Sequence, residues 1–387
     1  MMNVKLYNKI AKIGLDVFDK ENYSISEDAQ APVAALVRSA TLHDETFPDS
    51  LLAIGRAGAG TNNIPTDRCS EEGIVVFNTP SANANAVKEL VLLGLLISSR
   101  RVVPAIEWAR GLKGNGDEVG KMVEKGKSAF VGPEIRGKSL GVIGLGAIGV
   151  LVANAANHLG MTVYGYDPFL SLQNAWNLSH HIKRANDLKE IYENCDYISL
   201  HIPLNKDTRG TINASALASM KDGVRILNFA RDGLVDSEAM LAALSSGKVA
   251  SYVVDFPTDE MIGVDGVVCI PHLGASTPES EDNCAVMAAR ELVDYIENGN
   301  ITNSVNLPNV SMPRSAAVRI CVIHRNIPNT LTSITSYLGR DNVNIENMLN
   351  KSRGEYAYTL LDVAPCDTAK VEEHIREVEG VLRVRII

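Results

Sequence analysis

The sequence predicts an α/β protein centred on a doubly wound parallel sheet, and three observations carry that expectation. A glycine-rich strand-to-helix turn stands in the middle of the chain. Short apolar strands and helices alternate on both sides of it. The pattern then changes over residues 317–387, where strands and helices follow the order βαββαβ.

Taken in order, residues 34–37, 51–54 and 74–77 are short apolar runs that read as strands. Each gives way to a polar or glycine-rich loop: Arg38-Ser39-Ala40-Thr41, Gly55-Arg56-Ala57-Gly58-Ala59-Gly60, and Asn78-Thr79-Pro80-Ser81. They form a smaller, flavodoxin-like α/β domain. Residues 86–99 read as a long apolar helix leading out of it. A second long helix, 277–298, lies beyond the doubly wound region, so that region is expected to be inserted into the first domain. The expected division is 1–97 with 287–307, 98–286, a proline-bearing linker at 308–316, and a C-terminal module at 317–387.

The central turn is Gly144-Leu145-Gly146-Ala147-Ile148-Gly149, entered from the apolar run Leu140, Val142, Ile143. A helix of small residues, 150–159, follows. A second strand, 161–166, then ends at Asp167. Strand, turn, helix, strand and acid fit one βαβ unit of about 30 residues. Three glycines allow a tight turn and close approach of a pyrophosphate to the amides of Ala147, Ile148 and Gly149 at the helix N-terminus. Asp167 would accept hydrogen bonds from ribose hydroxyls and repel a 2′-phosphate. No arginine follows it closely, so the expected cofactor of this Rossmann-type unit is NAD rather than NADP.

Strands continue at 197–200, 224–229, 250–254 and 267–270, and polar groups recur at their C-terminal ends. His201 and Pro203, Ala230 and Arg231, Asp255, and His272 with Gly274 all fall there. Ligands of an open parallel sheet bind on that edge. Oxidation of a 2-hydroxy acid by NAD needs a cation for the substrate carboxylate, a base for the hydroxyl proton, and a carboxylate to orient the base. Arg231 has the planar fork that suits a carboxylate. His272 is the candidate base. Asp259 and Glu260 are both candidates for its acidic partner.

Bulk properties exclude other classes. The chain has 387 residues, 45% hydrophobic and 21% charged, and a formal net charge of −9. That charge argues against a nucleic-acid surface. No apolar stretch reaches membrane-spanning length. The six cysteines lack ligand spacing and read as reduced core residues of a cytoplasmic protein, and no metal site is expected.

These segments resemble the D-isomer-specific 2-hydroxyacid dehydrogenases over nearly the whole chain. The resemblance rests on 37–41, 55–58 with Asn63-Ile64, 78–80, 144–149, 200–204, 228–236 and 271–277. It implies that Arg231 holds the substrate carboxylate and that His272 is the acid/base. It also implies that Asp255 contacts the nicotinamide carboxamide. Arg56, Ala57 and Gly58 would line the substrate site, with Arg38, Asn78 and the Ser81 loop near it. His201 is expected to shape the cofactor loop. The family pattern Asp-Val-Phe reads Asp255-Phe256-Pro257 here, one residue short. Alignment through Phe-Pro-Thr makes Asp259 the catalytic acid, and counting from Arg231 makes it Glu260. The segment preceding Arg38 is also shorter than the family pattern.

The C-terminal module resembles an ACT domain. That likeness implies an amino-acid effector, typically L-serine, with His324, Asn326 and Asn344 as contacts, in a homodimer or homotetramer. A module serving only oligomerisation is the alternative. Asn329 stands where the pattern has glycine, and asparagine tolerates the left-handed backbone such a turn needs. A non-enzymatic NADH-sensing protein of the same fold is the reading from another class.

Overall fold

The computed structural model describes residues 1–387. The chain divides into two compact units, Met1–Asn83 with Pro278–Ile387, and Ala84–Thr277. No helix is long and apolar enough to cross a membrane.

The first unit opens with a parallel sheet of β1 (Met2–Leu6), β2 (Tyr23–Ser26), β3 (Ala34–Val37), β4 (Ala53–Arg56) and β5 (Val75–Phe77), in the order β2-β1-β3-β4-β5. The fully buried strands β3 and β5 stand where the apolar runs predict them. Sequence patterning does not reveal β1 and β2. β1 buries only Val4 completely, and β2 carries two serines in four residues, so neither shows the apolar signature of an interior strand. Helix Pro278–Asn298 belongs to this unit and packs Ala285, Ala288, Ala289 and Leu292 on the sheet. Gly55 admits it closely, since a Cβ there would lie 2.9 Å from Leu292.

The second unit carries β6 (Ser139–Ile143), β7 (Thr162–Tyr166), β8 (Lys183–Arg184), β9 (Tyr197–Leu200), β10 (Val224–Asn228), β11 (Val249–Val254) and β12 (Val267–Cys269). All seven are parallel, in the order β12-β11-β10-β9-β6-β7-β8. The order reverses between β6 and β9, which makes a crevice at their C-terminal ends. Helix Ala84–Ser99 packs on this sheet. Gly94 sits 2.7 Å from Leu227 at its Cβ position, so the helix lies flush on β10.

Within the first unit the chain ends in a four-stranded antiparallel sheet. β13 (Val318–Arg325), β14 (Ile345–Arg353), β15 (Tyr356–Val363) and β16 (Val381–Ile386) take the order β14-β15-β13-β16. Helices Thr330–Arg340 and Thr368–Arg376 cover one face around Ile320, Val322, Ile334, Leu361 and Ile375. This is the expected βαββαβ module. Asn329 adopts φ +69° at the start of the first helix, the left-handed backbone expected of it.

The other face of this sheet is not solvent. Cys321, Ile323, Tyr358 and Leu360 join Val4, Phe77, Leu292 and Tyr295 in one continuous core. Two arginines of β16 fasten the contact. Arg383 donates to the carbonyls of Asp49, Leu51 and Glu72. Arg385 donates to those of Tyr295 and Ile296 and lies 4.6 Å over the Tyr295 ring. Glu72 caps one helix, and Tyr295 and Ile296 lie in the last turn of another, so both cations sit at the negative ends of helices. The buried Arg319–Asp362 pair adds a third tie. Arg319 Nε lies 2.6 Å from Asp362, and its other nitrogens donate to the carbonyls of Asn298, Met312 and Pro313.

Candidate active site

The glycine turn stands at the crevice of the seven-stranded sheet. Gly144 has φ +93°, and a Cβ there would lie 2.5 Å from the His201 carbonyl. A Cβ on Gly149 would lie 1.9 Å from the Gly144 carbonyl. Both glycines are therefore required by the protein's own packing. Gly146 differs, because a Cβ there would meet no protein atom within 4 Å. Its backbone is ordinary at φ −69°, and no side chain caps helix Ala147–His158, which it begins. The turn thus leaves open space over a helix N-terminus, the place a pyrophosphate takes. Asp167 receives the Leu145 N–H at 2.8 Å and the Phe169 N–H at 2.8 Å, which fixes its carboxylate beside the turn.

His201 follows β9, and its ring lies 2.8 Å from Ser199 Oγ. Burial pulls its pKa down to about 4, so it is neutral at physiological pH. Its backbone carbonyl walls the turn at Gly144. Pro203, two residues on, offers its carbonyl to the Thr208 hydroxyl. Ala230 N–H donates to Asn228 Oδ1, which shapes the bend after β10. Arg231 follows that bend, exposed, with one nitrogen donating to the Ala230 carbonyl at 2.7 Å.

Asp255 stands at the end of β11. It is 1% exposed, and neither carboxyl oxygen has a hydrogen-bond partner. Burial pushes its pKa up to about 6, against the pull of Arg231. A buried carboxyl with no donor is costly to keep, and a ligand amide would satisfy it. Gly274 is buried beside it, its Cβ position 3.7 Å from Asp255 Oδ2.

His272 is exposed after β12 and packs its ring on Phe256 at 4.5 Å. Partial burial and then the charge of Arg231 lower its pKa. Arg231, Asp255 and His272 thus share one strand-end edge, close enough for the arginine to bias both other groups. Asp259 and Glu260 lie in the short turn Asp259–Met261, both exposed, and neither reaches His272 with a hydrogen bond or ion pair. Phe256 and Ser199 were not among the sequence-derived candidates. Phe256 directly follows Asp255, and Ser199 stands in β9 two residues before His201, so position at a strand end is the signal for each.

The remaining candidates belong to the first unit. Arg56 ends β4 and folds over Gly58, whose Cβ position would lie against the guanidinium. Its Nε is buried without a partner, and burial, with Arg38 nearby, lowers its pKa. Ala57 is buried. Arg38 pairs with Glu281 at 2.7 Å. Its backbone N–H, with those of Ser39 and Ala40, converges on Asn8 Oδ1, a contact no local sequence signal announces. Asn78 donates to the Ala59 carbonyl at 2.6 Å, Thr79 N–H donates to Gly58, and Ser81 takes φ +72°. The two loops are therefore laced together.

In the C-terminal module β13 extends to Arg325, so His324 lies within the strand. It is 3% exposed, with ring nitrogens at Thr359 Oγ1 and the Arg325 carbonyl. Burial lowers its pKa. Asn326 is exposed and donates its side-chain amide to the Gly354 carbonyl. Asn344 is exposed and offers its carbonyl to Ala364 N–H.

The glycine turn, the orphaned Asp255 and the Arg231–His272 pair define an NAD-dependent dehydrogenase edge, and comparison with known proteins agrees. Residues 96–274 match the family described as D-isomer specific 2-hydroxyacid dehydrogenase, NAD binding domain. The chain belongs to that family. It is 33% identical over 350 residues to D-3-phosphoglycerate dehydrogenase of Haemophilus influenzae, covering 87% of this chain and 81% of that one. It is 32% identical to the Escherichia coli K12 protein of the same name over 88% of this chain and 82% of that one. NAD-bound 3-phosphoglycerate dehydrogenase of Entamoeba histolytica superposes with a TM-score of 0.59 at 25% identity, covering 79% of this chain and 98% of that one.

Proposed function

We propose that this chain interconverts D-3-phosphoglycerate and 3-phosphohydroxypyruvate with NAD, the entry to L-serine synthesis. The observation that carries the reading is the shared edge of Arg231, Asp255 and His272 beside an open glycine turn. NAD, when bound, supplies the hydride acceptor. The buried, unpartnered Asp255 carboxylate would accept from the nicotinamide carboxamide when NAD is bound. Arg231 takes the substrate carboxylate as a bidentate anion. In the oxidative direction the hydroxyl proton passes to the imidazole of His272 as the C2 hydride departs, and in reduction the imidazolium returns it. Pairing Arg231 with substrate removes the positive charge that depresses His272, so the base strengthens as the complex forms. Arg56 and Arg38 in the first unit are assigned to the substrate's anionic end. L-serine, at Asn326 and Asn344, is the proposed effector. His324 has both ring nitrogens engaged and supports that loop from inside.

The test is NADH oxidation by the full-length chain with 3-phosphohydroxypyruvate beside 2-oxoglutarate. Preference for the phosphorylated substrate is expected. Preference for 2-oxoglutarate would move the chain to a hydroxyglutarate-type activity. NADH binding without turnover of either would favour a sensor. His272→Ala should lower kcat by roughly 10²–10⁴-fold while NADH affinity holds. Near-normal turnover in that variant would refute its role.

A further inference from the structure

Glu291 is the most anomalous side chain outside the dehydrogenase edge. It lies on helix Pro278–Asn298, 5% exposed, and one of its carboxyl oxygens has no partner. Its other oxygen accepts from Asn303 Nδ2 at 2.7 Å. Asn303 in turn holds φ +57°, a left-handed backbone that asparagine tolerates, and the Glu291 hydrogen bond supports its side chain there.

What that support secures is the strand leading to the Asn78–Ser81 loop. β5 is an edge strand, and residues 303–306 cover its open side. Val305 N–H donates to the Val76 carbonyl, and Val76 N–H donates to Asn306 Oδ1. Ser304 bridges Phe77. The Asn303 carbonyl receives Asn78 N–H at 3.3 Å. The Ser304 carbonyl receives Arg353 Nη1 at 2.9 Å. Arg353 closes β14 of the C-terminal sheet, on the hairpin where Asn326 binds the Gly354 carbonyl.

We infer that residues 303–304 are a bracket that positions the Asn78–Ser81 loop, held from one side by Glu291 and from the other by Arg353 of the C-terminal module. Both are positioning residues, acting through Asn303 and Ser304 and not on the reacting atoms. The inference rests on the reading of that loop as part of the substrate site. Burial pushes the Glu291 carboxyl up to about 8, so the neutral acid is the resident form and glutamine is its closest mimic. Arg353 is exposed, so its replacement removes one hydrogen bond without opening a core cavity.

The experiment compares Arg353→Ala, Glu291→Ala, Glu291→Gln and Asn78→Ala in the full chain. KM for 3-phosphohydroxypyruvate, kcat and the dissociation constant of NADH are measured for each. Arg353→Ala and Glu291→Ala should raise KM roughly five-fold, the worth of about one hydrogen bond, with NADH binding unchanged. Glu291→Gln should restore it. If Asn78→Ala raises KM and neither bracket variant does, the bracket is refuted and the substrate-loop reading stands. If Asn78→Ala leaves KM unchanged, the loop reading fails and takes the bracket with it. Equal loss of NADH and substrate binding in Arg353→Ala would mark general damage and also overturn the inference.

Discussion

The dehydrogenase edge of the second unit and the docking face of the C-terminal module are built in opposite ways. At the edge, a turn, a helix and an acid within residues 139–167 make most of their own geometry. Asp167 grips Leu145 from 22 residues away, and Gly149 nests on Gly144. At the docking face, Arg383 and Arg385 bind carbonyls 89 to 334 residues distant in sequence. A local device can be altered one group at a time. A face assembled from distant carbonyls fails as a unit.

The comparison is sharpest at the glycines. Gly149→Ala drives a Cβ into a backbone oxygen and should cost roughly 1–3 kcal/mol of stability. Gly146→Val places its Cβ where no protein atom lies within 4 Å. It should leave the melting temperature unchanged while weakening NADH by about tenfold or more, near 1.4 kcal/mol. Calorimetry beside NADH titration separates the two, and a Gly146→Val variant that binds NADH normally would show that the open space is not the pyrophosphate's.

At the docking face, Arg385→Met keeps apolar volume over Tyr295 and loses two charged hydrogen bonds. A loss of about 1.5–3 kcal/mol is expected, with no change in NADH affinity. Equilibrium urea unfolding reads the first and fluorescence titration the second. An NADH defect would contradict the separation drawn between the two regions.

The pH-dependent effects come from one buried carboxyl in each unit. Glu291 is raised from 4.5 to about 8 in the folded chain. Between those values the native state holds a proton that the unfolded state releases, so stability falls as pH rises. The slope is about 1.4 kcal/mol per pH unit at most. Glu291→Gln should match the parent near the lower limit and gain on it up to the upper one, read from melting temperatures across that window. Asp255 is raised to about 6, and the ionised form is the one that accepts from the carboxamide. NADH affinity should therefore decline as pH drops below about 6, and Asp255→Asn should remove that dependence. Parallel pH profiles for parent and variant would count against each assignment.

The contrast also explains what was legible in the sequence. The glycine turn, Asp167, Arg231, Asp255 and His272 announce themselves because chemistry at a strand end leaves polar residues after an apolar run. The C-terminal βαββαβ order is legible from alternating apolar runs and turns, and the left-handed backbone of Asn329 from its residue type. β1 and β2 were not readable, since partial burial erases the apolar signature. Asn8, Glu281, Glu291 and Arg353 were not readable either, because their meaning lies in a partner far along the chain. The choice between Asp259 and Glu260 has the same character. Both sit in an exposed turn, and spacing from a neighbouring strand does not orient a side chain across a gap.

The continuous core beneath the C-terminal sheet sets a limit on modularity. Cutting the chain in the proline-bearing stretch at 308–316 would bare Cys321, Ile323, Tyr358 and Leu360 on one fragment and Phe77, Leu292 and Tyr295 on the other. Neither product is a finished surface, so both are prone to stick to one another or to themselves. The module is part of the first unit's core rather than an appended bead. Shortened versions of this protein should be sought by trimming loops, not by removing its last domain.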